Sequence, residues 1–220
     1  MTKKTQETPV EEKDLLVSFL NDLTRFCKKY KKGLLAALVI LIVAAAVEYA
    51  YVTHQNKVKE ASWSAYYQAQ IALLTQGENE GFFKLDEIEK NFPGSNAAQY
   101  GQLLKGDVLY NTENYAQAVN VYKPLVNSKN ETVRTAATLS LAAALQATKD
   151  YAGSIEVLTK FIEQNPSSFA LPQAYFTLAL SHELAGHKTE AIDAYKYLFG
   201  SHPTTYFGIV AKDKLNTLQK

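Results

Sequence analysis

NYAQA at 114–118 and DYAGS at 150–154 are the same short text written twice, and their reading decides the fold. In each, Asn114 or Asp150 offers a side-chain oxygen to cap a helix start, and a tyrosine follows as the first packed residue. A small residue, Ala118 or Ser154, comes next, and a large one, Tyr122 or Leu158, follows it by one helical turn. Ala191 and Tyr195 repeat that pair further on.

Working outward, turn signals recur at NFPGS 91–95, NSKNE 127–131, QNPSS 164–168 and SHPTT 201–205. Pro93, Pro166 and Pro203 stand 73 and 37 residues apart, and the turn at 127–131 fills the gap. A period of 36–37 residues is close to that of the tetratricopeptide repeat, a helical hairpin with a slightly longer connection here. Four hairpins align on these turns. The last carries Tyr175, Leu178-Ala179, Ala191, Tyr195, Leu198 and Pro203. The third carries Leu141-Ala142, Ser154, Leu158, Phe161 and Pro166, and the second Gly106, Leu109, Ala118, Tyr122 and Leu125. The first is degenerate, with Ala69, Ala72, Leu85, Ile88 and Pro93. Small residues at Gly106, Ala142 and Ala179 let the two helices of a hairpin approach, and Ala118, Ser154 and Ala191 do so between hairpins. Residues 206–218 keep helical spacing of Phe207, Val210, Ala211, Leu215 and Leu218, and read as the helix that caps the open end of a solenoid. The expected fold class is all-α: a single N-terminal transmembrane helix, then an α-solenoid of about four hairpins plus a capping helix.

Solenoids bind along the concave face built by the first helices of successive hairpins. The alignment places Tyr100, Leu103, Asp107, Tyr110, Leu139, Gln146, Phe176, Leu180 and Glu183 there. That mixture of aromatic and polar groups suits a protein or peptide ligand.

Ahead of the repeats, residues 33–47 (GLLAALVILIVAAAV) hold no charge, and extension to Val52 adds only Glu48. A helix of that length spans roughly 30 Å, the thickness of the hydrocarbon core. Lys28, Lys29, Lys31 and Lys32 crowd one flank, and Tyr49 and Tyr51 stand on the other. The positive-inside rule keeps the lysine end in the cytoplasm and exports the chain beyond Val52. A 32-residue leader with five acids argues against a cleaved signal peptide. The expected divisions are a cytoplasmic tail at 1–32, the transmembrane helix at 33–52 and the extracytoplasmic repeat domain at 53–220. Leu16, Phe19, Leu20, Leu23 and Phe26 mark an amphipathic helix before the anchor. It lies on the inner leaflet, packs on a partner, or extends the anchor, and its basic end favours the first. Residues 1–12 are polar and read as disordered.

Composition narrows function. Apolar residues are 47% and charged residues 20% of 220, enough to bury a core. The net charge of +1 hides an uneven distribution: residues 1–32 hold eight Lys or Arg against five acids, so the remainder carries fifteen against seventeen. That near-neutral remainder has no electrostatic footprint for nucleic acid. Cys27, the one cysteine, precedes the apolar run, which excludes both an intramolecular disulfide and a lipoprotein anchor. His182 and His187 flank ELAG at an offset of five, not the four that puts both imidazoles of a zinc peptidase on one helical face. There is no phosphate-binding glycine loop and no nucleophile elbow, and Asn130-Glu131-Thr132 is a lone sequon. The sequence argues for a protein without catalytic residues, metal or cofactor.

The lysine-flanked anchor, the segment Glu60-Ala61-Ser62-Trp63-Ser64-Ala65-Tyr66-Tyr67-Gln68-Ala69 and the hairpins together resemble the bacterial ancillary Sec-translocon subunit family. The resemblance covers the layout of residues 15–200. It implies an inner-membrane protein with a periplasmic repeat domain, partnered by the Sec translocon and periplasmic chaperones, acting as a scaffold or holdase for emerging proteins. The later hairpins are also similar to those of the periplasmic cell-division coordinator of the Tol–Pal machinery, though its cleaved signal and coiled coil are not evident here. A structural envelope protein of division or outer-membrane assembly is therefore the alternative. The lysine cluster carries one direct expectation: alkaline phosphatase fused after Lys220 will be active, and activity from a cytoplasmic reporter at the same site would invert the topology.

Overall fold

The computed structural model describes residues 10–219, with side chains from Val17 onward. Residues 1–9 and the Leu16 side chain, which belong to the expected disordered tail and amphipathic face, lie outside the described residues. All regular structure among the described residues is helical: α1 Val10–Lys29, α2 Lys31–Thr75, α3 Glu78–Asn91, α4 Asn96–Asn111, α5 Tyr115–Leu125, α6 Glu131–Ala147, α7 Tyr151–Gln164, α8 Leu171–Leu184, α9 Lys188–Ser201 and α10 Tyr206–Leu218. α1 starts inside the segment 1–12 read from composition as disordered. The chain divides into two compact units, residues 1–57 and 58–220.

In the first unit, Val17, Phe19, Leu20, Leu23 and Phe26 of α1 are all exposed. So are the apolar side chains of α2 from Leu34 to Val47, on every side of the helix. A helix apolar all round needs an apolar surrounding. By length and composition α2 can cross a membrane.

The second unit is a run of hairpins: the end of α2 with α3, then α4–α5, α6–α7 and α8–α9, with α10 last. Consecutive helices pack on one another, and α4 also touches α6, α6 touches α8, and α8 touches α10. The first helices of the hairpins therefore adjoin as one layer. The small-and-large columns expected from the repeat are all buried. Ala69, Ala142 and Ala179 are 0% exposed, and Gly106 is buried with them. Ala118, Ser154 and Ala191 are likewise 0% exposed, facing Tyr122, Leu158 and Tyr195 one turn on. The first hairpin has its own member, Gly81, followed by fully buried Leu85 and Ile88. Close approach is obligatory at two of these positions. A Cβ on Gly106 would overlap the Tyr122 ring, and one on Gly81 would overlap Leu73.

Helix starts follow the expected chemistry in part. Ser95, Asn130, Asp150 and Thr205 accept backbone N–H groups of α4, α6, α7 and α10. Asn114 caps nothing through its side chain and donates instead to Thr112 Oγ1. Trp63 and Tyr66 pack inward against the α3–α4 cluster, whereas Tyr67 is exposed.

The inner turn of every hairpin holds one left-handed residue: Gly77 at φ 93°, Glu113 at 62°, Lys149 at 66° and Gly186 at 80°. The later three end their helices in paired reverse bonds. Asn114 N–H reaches the Leu109 carbonyl, Asp150 N–H that of Leu145, and His187 N–H that of His182. Glycine takes this conformation freely, but a residue with a Cβ is strained by it. Replacing Glu113 or Lys149 by Gly should therefore stabilise the chain by about 0.5–1 kcal/mol each, whereas Gly186→Ala should destabilise it by a similar amount. Thermal melts of the full chain in detergent check this, and a fall in Tm for both glycine variants would refute it.

Candidate functional site

Two buried tyrosines organise the layer of first helices. Tyr122 of α5 and Tyr195 of α9 occupy equivalent repeat positions and lie under the layer with their hydroxyls pointing into it. A phenol can stay in such a place only if its hydroxyl finds a partner. Tyr122 Oη donates to Asp107 Oδ1 of α4 at 2.6 Å, and Tyr195 Oη donates to Glu183 Oε2 of α8 at 2.9 Å. Burial pushes both phenols well above their ordinary range, and the neighbouring carboxylates push the same way. Burial also raises the Asp107 carboxyl, which the Tyr122 hydrogen bond opposes.

The two carboxylates differ in what else they hold. Lys214 of α10 donates its ammonium to Glu183 Oε1 and Oε2 at 3.0 and 3.1 Å. Asp107 borders a cavity of about 290 Å³, whose walls are Tyr110 and Asn111 of α4 and Ser140 and Ala143 of α6, with Tyr122 beneath. Tyr110 stands edge-on to Tyr115 at 5.2 Å between ring centres.

The other expected groove residues are distributed unevenly. Tyr100 lies 5.7 Å from Trp63 and packs with Leu103 on Leu125, Val133 and Ala137. Leu139 rests against the α6–α7–α8 cluster, and Leu180 is half-buried on α8. Gln146 bridges α6 to α8, donating to the Thr177 carbonyl at 2.9 Å and to Ser181 Oγ at 2.7 Å. Phe176 stacks between Tyr195 and Phe207, so the capping helix covers it. Of the nine, Asp107 and Tyr110 share the cavity. Tyr122, Asn111, Ser140 and Ala143 complete it and are absent from the expected groove set. The signal for Tyr122 was its hydroxyl at a position the third hairpin fills with Leu158.

Two other places bring polar groups together. The His182 and His187 rings come within 5.8 Å, because α8 ends at Leu184 and a turn, not helical rotation, places His187. Burial lowers the His182 pKa and His187 adds to that, against Glu190. No group of three or more His, Cys, Asp or Glu among the described residues is arranged to hold a metal. A larger cavity of about 650 Å³ lies among the outer turns near Gln99, Pro124 and Asn130. Several of its polar groups are occupied locally, with Ser128 bonded to Gln99, Asn130 to Asn96, and Arg134 donating to the Ser128 carbonyl.

Among solved structures, the chain is similar to MamA (residue 41 to the end) from Desulfovibrio magneticus RS-1, with TM-score 0.54 and 19% identity over 72% of this chain and 89% of that one. It is also similar to the tetratricopeptide-like repeats of a putative kinesin light chain from Podosopora anserina, with TM-score 0.56 and 14% identity over 73% and 86%. At such identities the likeness is one of fold. No curated protein matches the sequence. The family model for a tetratricopeptide repeat-like domain matches residues 24–199, four fifths of the sequence, and the chain belongs to that family.

Proposed function

We propose that this protein is a membrane-tethered, non-enzymatic interaction module that captures segments of secreted or envelope proteins near the Sec translocon. The observation that carries the reading is the adjoining layer of first helices, presenting aromatic and polar side chains with a cavity at Asp107, on a chain whose α2 is apolar enough to cross a membrane. Tetratricopeptide-type solenoids use that layer to bind polypeptides. The lysines at 28–32 favour a cytoplasmic N-terminus and an extracytoplasmic repeat unit. Tethering keeps the groove at the membrane, where exported chains emerge unfolded and a weak binder meets them at high local concentration.

A photoreactive side chain placed at Asn111, on the layer of first helices, tests this against one at Lys160, which is exposed on α7. In membranes, the first should crosslink to translocon subunits or to proteins in transit, and the second should not. Crosslinks that arise equally from both positions, or persist only through residues 14–52 when the repeat unit is replaced, would place recognition outside the groove.

A further inference from the structure

The fourth hairpin contains a worked example of what the second lacks. In both, a tyrosine of the second helix donates its hydroxyl to a carboxylate of the first, Tyr195 to Glu183 and Tyr122 to Asp107. In the fourth hairpin the adjoining helix α10 completes the arrangement with the Lys214 ammonium, which binds both carboxylate oxygens. In the second hairpin the adjoining helix is α6, and it presents Ser140 and Ala143 toward the carboxylate. Both are small, and the space left is the cavity of about 290 Å³. Among the described residues no lysine or arginine forms an ion pair with Asp107.

We propose that this cavity receives the lysine or arginine side chain of a bound polypeptide, its cation seated on the Asp107 carboxylate in the place that Lys214 takes on Glu183. The proposal rests on the groove reading and names the residue class the groove selects. The chemistry is complementary at each wall. Among the described residues none donates a hydrogen bond to Asp107 Oδ2, while Oδ1 is committed to Tyr122. Tyr110 offers a ring beside the entrance, and cations are attracted to the face of such a ring. Asn111 and Ser140 supply further acceptors for a guanidinium or ammonium. A half-buried carboxylate without a counter-charge has lost part of its hydration without recompense, and an incoming cation restores it.

The test uses the full chain in detergent and an immobilised library of random 12-residue peptides. The tightest binders are resynthesised with every Lys and Arg replaced by Gln. Each basic peptide should bind the wild-type chain about tenfold more tightly than its Gln twin, as a charge-assisted hydrogen bond to a desolvated carboxylate warrants. Asp107→Asn keeps an acceptor for Tyr122 and should bind both twins alike. Ser140→Lys supplies the cation from within and should do the same, so the result does not depend on one variant. The fold control is thermal: with the raised carboxyl removed, Asp107→Asn should melt at or above the wild-type temperature at pH 7. That margin should vanish as pH falls toward the ordinary Asp range, where the wild-type carboxyl is itself protonated and its desolvation cost is gone. Twins that bind the wild-type chain equally would overturn the basic-residue proposal and leave the groove reading standing. Failure of every library peptide to bind would overturn both.

Discussion

At Gly106 a tyrosine ring occupies the space a side chain would need, and the rest of the second hairpin depends on that contact. With hydrogen there, α4 and α5 approach closely enough for Tyr122 to be 1% exposed. A large apolar side chain fully buried in this way contributes on the order of 1.5–3 kcal/mol. Burial of the ring also carries the phenol oxygen into the interior, where an unpaired hydroxyl is costly. Asp107 resolves that cost and is itself drawn out of water in doing so. The packing requirement of a helical hairpin thus sets the chemistry of the surface above it: a carboxylate is held by the buried phenol, half-desolvated, at the edge of a cavity.

The third hairpin meets the same geometric demand differently. Leu158 stands where the tyrosines stand, so no hydroxyl needs a partner from the first helix. Its small residue is Ser154, whose Oγ donates to the Ala142 carbonyl at 3.1 Å and lies 2.8 Å from Ser181 Oγ of the next hairpin. Gln146 joins the same network from α6. This seam is hydrogen-bonded where its neighbours are packed, and buried polar networks fix register as well as adding stability. The solenoid therefore alternates between carboxylate–phenol pairs and a hydroxyl–amide network along one continuous core.

Much of this was legible because a repeat makes a one-dimensional text. Ala118, Ser154 and Ala191, with Tyr122, Leu158 and Tyr195 behind them, announce their roles by recurrence alone. Gly81 escaped because the first hairpin departs from the consensus elsewhere, although it keeps the same spacing. Partners that depend on tertiary approach were not legible. Nothing in the sequence ties Lys214 to Glu183, 31 positions away, or places Phe207 over Phe176. The His182–His187 approach escaped for a local reason: helical rotation applies only within a helix, and α8 has already ended. Half-burial is the general difficulty for the groove, since a residue such as Tyr100 or Leu103 serves the seam with one edge and the open layer with the other.

Because each helix from α3 to α10 packs on its neighbours in sequence, the left-handed inner turns have a kinetic meaning as well as a geometric one. Each turn closes a hairpin between helices that follow one another directly, so the loop-closure entropy opposing its formation is small. Each finished hairpin then offers its exposed seam as a template for the next. Folding of such an array can begin at any hairpin and spread to its neighbours, and at the α10 end the core around Tyr195 is completed by Ala211 and Leu215. A helix that begins no further hairpin thus still takes part in the core, through the seam it shares with α8 and α9.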